Sequence, residues 1–268
     1  MVLHWNADPV LLTLGPVVVR WYGLFFASGF LVGFNLIERI YRQEKKPVAD
    51  LDSLLWHMML GTVLGARLGH CLFYEPDYYL GRPLEILKIW QGGLASHGAA
   101  VGILLSLYLY SRKHINQPFL WLVDRMSIVV ALGGSFIRLG NLFNSEIIGR
   151  PTDVPWAMVL ERIDSLPRHP TQIYESLAYL LTFGLLLMVY RRRKGETPGG
   201  LLFSLFLVCV FSFRFIVEFF KERNEAFDMG LGVNMGQLLS LPLILLGFWL
   251  LHRALYGRNL HHPEGRVI

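Results

Sequence analysis

The sequence predicts an all-α, polytopic integral membrane protein: seven transmembrane helices with a small outward-facing cap. Three observations carry that expectation. Of 268 residues, 53% are apolar and only 17% are charged, against about 25% charged in an ordinary soluble domain. So little polar surface cannot enclose a soluble core of this size. The apolar residues gather in blocks near the roughly 20 residues that a helix needs to cross a hydrocarbon core. The basic residues concentrate in every second connection between blocks, as a membrane topology requires.

The blocks run at roughly 19–37, 52–73, 93–111, 119–137, 173–190, 199–219 and 236–252. The second is the least clean, because it carries His57, Arg67 and His70. Met1 to Pro9 has neither the basic start nor the small-residue site of a cleaved signal, so the first block is expected to remain as a span. Arg39, Arg42, Lys45 and Lys46 follow the first block, and Arg112 and Lys113 the third. Arg191, Arg192, Arg193 and Lys194 follow the fifth, and Arg253, Arg258 and Arg266 occupy the tail. If the spans alternate, all of these share one side, which the positive-inside rule makes cytoplasmic. The amino terminus is then outside and the carboxyl terminus cytoplasmic. Topology accounts for the formal charge of +5 without nucleic acid. Residues 1–268 are read as one membrane domain, with 138–172 as the outer loop that forms the cap. Cys71 and Cys209 both fall within spans and offer no disulfide framework.

Polar groups inside spans are costly and mark functional positions by default. With the topology above, they agree in depth. Tyr22 opens the first span, His97 the third, and His169, Gln172 and Glu175 the fifth, while Arg138 and Asn141 close the fourth. Arg214 and Glu218 stand in the outer third of the sixth. All lie near the outer surface. Arg138, Asn141 and Asn144 recur every three residues and share a face if the helix continues that far. An Arg–Asn–Asn face suits a phosphate ester and its hydroxyls, because a guanidinium meets phosphate oxygens in a planar fork. Arg214 and Glu218, four apart, are either a mutually satisfied pair or an arginine that faces a second anion while the glutamate positions it. Arg before Glu is the weaker order for such a pair. His97, between Gly93 and Gly98, has the chemistry of a proton acceptor at neutral pH.

Other chemistries fit poorly. The chain has no HExxH or CxxC for zinc and no GxxxxGK[ST] phosphate loop. Ser135 lacks the G-x-S-x-G context of a hydrolase nucleophile. His261 and His262 fall in the charged tail.

Five segments together resemble the prolipoprotein diacylglyceryl transferase family over almost the whole chain. They are Arg20-Trp21-Tyr22-Gly23, Gly92-Gly93-Leu94 through His97-Gly98, the Arg138 to Gly149 stretch, His169-Pro170-Thr171-Gln172-Ile173-Tyr174-Glu175, and Arg214-Phe215-Ile216-Val217-Glu218-Phe219-Phe220. The third fits Gly-x-x-x-Arg-x-Gly-Asn-x-x-Asn-x-Glu-x-x-Gly, the most specific of the five. The resemblance implies a seven-span bundle with an outward cap in the bacterial cytoplasmic (inner) membrane, its active site near the outer leaflet. It implies transfer of the diacylglyceryl group of phosphatidylglycerol to the lipobox cysteine thiol of lipoprotein precursors. A thioether forms, glycerol phosphate leaves, and neither cofactor nor metal is expected. His97 matches the family position for a base, Arg138 the phosphatidylglycerol-binding arginine and Arg214 a second essential arginine. Asn141, Glu146 and Gly149 match the signature, and Tyr22 and Glu218 match further substrate-binding positions. Val210 stands where relatives often carry tyrosine, Arg20 where some carry histidine, and Gln91 where others carry a different polar residue. Two other classes compete. An intramembrane serine protease lacks its Gly-x-Ser-Gly here, and a transporter would place its polar groups near the midplane in repeated, broken helices.

Overall fold

A computed structural model describes residues 3–15, 17–89, 92–222 and 234–256. Gln91, Arg258, His261, His262 and Arg266 lie outside the described residues. A long helix covers each of the seven apolar blocks: α1 (Trp21–Gln43), α2 (Leu51–Phe73), α4 (Ser96–Lys113), α5 (Phe119–Asn144), α6 (Thr171–Arg192), α7 (Leu201–Val217) and α8 (Met235–Tyr256). A short α3 (Pro76–Gly81) stands between α2 and α4. Five of the long helices, α1, α5, α6, α7 with the turn that continues it, and α8, are long and apolar enough to cross a membrane. The chain is therefore a mostly helical, multi-pass membrane protein. Polar His57, Arg67 and His70 interrupt α2, and α2 and α4 fall short of the same measure of length and apolarity.

The helices also outrun the blocks that announce them. α1 continues past its apolar stretch into Glu38 and Arg42, which pair at 2.6 Å one turn apart. α5 continues through Arg138 and Asn141 to Asn144, so the condition that places those three on one face is met. Unforeseen in the sequence are five short strands: β1 (Leu3–Trp5), β2 (Val10–Leu14), β3 (Val17–Arg20), β4 (Met158–Leu160) and β5 (Pro167–Arg168). β2 and β3 make an antiparallel hairpin. β4 pairs β1 in parallel and β5 antiparallel.

The chain forms two compact units, residues 1–37 with 124–268, and residues 38–123. In the first, α5 is the central helix: over its apolar window 56% is buried, against 17% for α1 and for α8. Its carboxyl end is fixed by aromatic packing, with Phe143 stacked on Trp21 at 4.8 Å and edge-on to Trp5 at 5.1 Å. Leu142, Met158 and Leu160 form a small core beneath the strands, covered by Trp5, Ile148 and Ile173. At the other end Asp124, fully buried, accepts the backbone N–H groups of Gly200 at 2.8 Å and Phe203 at 2.9 Å. A side chain of α5 thereby caps the first turn of α7, whose opening N–H groups have no partner within the helix.

In the second unit, α2 and α4 meet along small residues. A Cβ on Gly65 would strike the carbonyl oxygen of Gly98, and one on Gly98 would strike that of Gly65. One on Gly102 would strike the carbonyl of Gly61. Backbones this close gain dispersion contact that larger residues forbid.

Candidate active site

Seven of the eight nominated residues belong to the first unit, and all but Tyr22 gather where α5, α6 and α7 end or begin. Arg138 is 8% exposed. Its Nε lies 3.2 Å from Glu175 Oε2 on α6, and its Nη1 donates to Asn141 Oδ1 at 3.3 Å. Asn141 donates in turn to Glu146 Oε2 at 3.0 Å, and Asn144 to Glu146 Oε1 at 3.2 Å. Every third residue of the α5 face thus joins one polar line from guanidinium to carboxylate. Ser145 and Ile147, on either side of Glu146, have φ of 55° and 56°. A left-handed backbone at a β-branched residue is strained and persists only where its surroundings enforce it. Gln172 supplies part of that enforcement by donating to the Glu146 carbonyl at 2.7 Å, and Thr171 by donating to that of Ile147 at 2.9 Å.

From Glu175 the line continues to α7. Lys221, 7% exposed, lies 3.0 Å from Glu175 Oε1 and 3.0 Å from Glu218 Oε1. Glu218 also accepts from Asn234 at 3.1 Å. Arg214 stands 3.8 Å from Glu218 Oε1, beyond hydrogen-bond length. Of the two sequence readings of that pair, the loose contact favours an arginine with its donors largely uncommitted: 21% of its side chain is accessible. Three cations and two carboxylates alternate as Arg138, Glu175, Lys221, Glu218 and Arg214, and the Glu146 carboxylate, reached through Asn141, brings the formal charge to balance. Arg214 borders a narrow cleft with Glu175, Ala178, Tyr179, Val210 and Phe213.

Lys221 is absent from the sequence-derived set. Its signal was present: Arg214, Glu218 and Lys221 follow the i, i+4, i+7 spacing of one helix face. Glu175, too, holds two cations, whereas its position along the chain indicates only a depth.

Gly149 has a steric task. A Cβ there would collide with the carbonyl of His169, because residues 148–152 run between residues 167–169 and 220–222. The hydrogen bonds of Arg150 N–H to Phe220 O (2.9 Å), Glu222 N–H to Ile148 O (3.0 Å) and His169 N–H to Arg150 O (3.0 Å) define that strand-like seam. Arg168 clamps it, donating to Gly149 O at 2.9 Å, Glu222 Oε2 at 3.1 Å and Asp164 Oδ2 at 2.5 Å. Its guanidinium holds the Asp164 carboxyl below the usual range. Burial, and then the charge of Arg150, pushes the His169 imidazole down. Tyr22, half-buried at the start of α1, packs on Gly140, where a Cβ would come 2.8 Å from its ring.

His97 belongs to the second unit, as the second residue of α4, and is exposed. Its loop is held from below by Arg67. That buried guanidinium donates to the carbonyls of Glu85 (2.6 Å), Ile86 (2.9 Å) and Gly92 (2.6 Å), and lies 4.9 Å over the Tyr79 ring. Gly92 and Gly93 take φ of 89° and 67° there, a turn open to glycine at no steric cost. Ala95 N–H then reaches Ala66 O at 2.9 Å, which fixes the residue from which α4 starts. Among the described residues no group of three or more His, Cys, Asp or Glu is placed to hold a metal ion.

The model of the prolipoprotein diacylglyceryl transferase family matches residues 9–253. The chain belongs to that family. A phosphatidylglycerol–prolipoprotein diacylglyceryl transferase of Tolumonas auensis is 55% identical over 93% of this chain and 96% of the relative. One of Chloroherpeton thalassium is 49% identical over 94% of each chain, and one of Porphyromonas gingivalis 43% over 94% of each. As a diacylglyceryl transferase family member, the chain has its polar network inside the matched span, Arg138 through Lys221 included.

Proposed function

We propose that this chain transfers the diacylglyceryl group of phosphatidylglycerol to the lipobox cysteine thiol of lipoprotein precursors, the first step of lipoprotein maturation in the bacterial inner membrane. The observation that carries this reading is the buried, alternately charged network that ends on Arg214, whose donors are largely uncommitted. The uncommitted donors of Arg214 and the fork of Arg138 are suited to the oxygens of a phosphodiester headgroup. Family membership supports the choice of phosphatidylglycerol.

In this scheme the cysteine sulfur attacks the diacylglyceryl carbon that bears the phosphate. A C–S bond forms as the C–O bond breaks, and the electron pair leaves with glycerol phosphate, whose second charge develops in the transition state. Fixed guanidinium groups stabilise such developing charge without reorganising. The thiol, with an ordinary pKa near 8.5, surrenders its proton to a base, the role assigned to His97. Asn141, Glu146 and Glu218 hold the arginines and the headgroup hydroxyls in register, Gly149 keeps the seam closed and Tyr22 lines the entrance. All seven long helices span the membrane in this reading. The site faces the outer leaflet, with the amino terminus outside and the carboxyl terminus cytoplasmic.

The purified protein, given phosphatidylglycerol and a lipobox peptide, should yield a peptide heavier by one diacylglyceryl unit and an equivalent of glycerol phosphate. A peptide that gains a single acyl chain instead would replace the proposed alkyl transfer with acyl transfer. A cysteine placed at Asp153, with Cys71 and Cys209 replaced, should react with an impermeant thiol reagent on spheroplasts while one at Lys45 resists; the reverse pattern inverts the orientation.

A further inference from the structure

The carboxyl end of α6 carries Arg191, Arg192, Arg193 and Lys194, all exposed. Positive charge there suits both the helix dipole and a cytoplasmic face, and neither effect requires a cavity. Yet a cleft of about 350 Å³ opens beside two of these arginines, a volume within the range of small-ligand sites. Its lining is Val189, Arg192, Arg193, Leu201, Leu205, Leu251 and Leu255, so α6, α7 and α8 supply an aliphatic wall and α6 alone the charge at its edge. Neither guanidinium has a hydrogen bond or ion pair among the described residues.

Glu175 stands near the start of α6, and the arginines end it. At 1.5 Å per residue the two ends of this helix are roughly 30 Å apart, one hydrocarbon thickness. The cleft therefore opens in the leaflet opposite the charged network and is separate from it. An aliphatic groove under two unpaired guanidinium groups, at headgroup depth, is complementary to one class of molecule: acyl chain below, phosphodiester above. The chain's own tail is the alternative occupant. Of its charged side chains, Arg258, Glu264 and Arg266, only one is an anion, so they offer the two arginines a single partner.

We propose that this cleft is a binding site for an anionic glycerophospholipid of the opposite leaflet, held by Arg192 and Arg193 and seated against Leu201, Leu205 and Leu251. The proposal rests on the membrane reading of the helices and not on diacylglyceryl transfer.

Native mass spectrometry of the full chain in detergent, incubated with phosphatidic acid or with phosphatidylcholine, reads the site without turnover; the charged network can hold one anionic lipid, so the cleft is read as the second lipid bound. The parent should retain phosphatidic acid over phosphatidylcholine. The double variant Arg192→Gln/Arg193→Gln should lower its apparent affinity by about 30-fold, as expected for two arginines at a membrane surface. Leu205→Trp, which fills the groove and keeps both arginines, should lower it comparably. Unchanged retention in the arginine pair overturns the proposal. Unchanged retention in Leu205→Trp overturns the groove, since the headgroup would then bind at the surface alone. A benzophenone amino acid at Leu251 that captures residues 257–268 instead of lipid makes the tail the occupant and also overturns it. Because these variants leave the charged network untouched, transfer to a lipobox peptide should persist in all of them. A failure of transfer in the parent would strike the proposed function and leave lipid retention as a separate result.

Discussion

Lys221→Met tests whether the alternating network is one electrostatic unit. Lys221 Nζ lies 3.0 Å from an oxygen of each of Glu175 and Glu218, and all three residues are buried. The two carboxylate oxygens are thus no more than about 6 Å apart, and at an effective dielectric near 20 they repel by about 3 kcal/mol once the cation between them is gone. Breaking a buried pair by removing one partner costs about 3–5 kcal/mol in general. Arg138 and Arg214 remain at 3.2 and 3.8 Å, so the lower end of that range, about 3 kcal/mol, is the expected loss. Neutralising one carboxylate should restore much of it. Glu218→Gln is the better rescue, because Arg214 holds Glu218 loosely and a Gln oxygen still accepts from Asn234. Lys221→Met/Glu218→Gln should therefore be more stable than Lys221→Met alone, with a coupling of about 1–3 kcal/mol. The assay is reversible unfolding in mixed micelles, followed by intrinsic fluorescence, for the parent, both singles and the double. If Lys221→Met stays within about 0.5 kcal/mol of the parent, or if the two changes simply add, the five charges are not a unit.

Further expectations follow from the same geometry. Arg138→Lys keeps the charge and loses the fork; if the fork holds the leaving phosphate, kcat should fall about 10²–10³-fold with KM little changed, measured across a phosphatidylglycerol titration. His97→Ala should slow thioether formation by about 10²–10⁴-fold and recover part of the loss as pH rises and the substrate thiol ionises unaided. Arg67→Met frees three carbonyls of the loop before α4, so hydrogen exchange over residues 82–93 should accelerate while exchange in α5 is unchanged. The imidazole of His169 is held below its usual range, so the folded protein binds fewer protons there than the unfolded chain. Its contribution to stability is therefore present above pH ~6.5 and is lost as pH falls below that value; thermal unfolding from pH 7.5 to 5 should show a slope that His169→Gln removes.

How much of this was legible beforehand depends on whether an interaction lies along one helix or between two. Helix positions followed from apolar block length, and the Arg138–Asn141–Asn144 face from a spacing of three, because both are properties of a single segment. The strands were not legible. β1 and β4 are three residues each, too short for alternation to register, and they pair across more than half of the sequence. Lys221 was hidden differently. It sits on the Arg214–Glu218 face, but just beyond the end of α7 and a following 3₁₀ turn at Glu218–Phe220, in a stretch that reads as an ordinary charged helix end. What makes it central is Glu175, on another helix. The same holds for Arg67, which in sequence is only a blemish in the second apolar block, yet in the fold is the buried donor on which the loop before His97 hangs. A charge inside an apolar block is thus better read by what it must pair with than by the span it interrupts. Arg138 and Arg67 answer that demand in opposite ways. Arg67 is satisfied by neutral carbonyls and so holds a backbone in place, whereas Arg138 is balanced by the Glu175 carboxylate within a network of alternating charge.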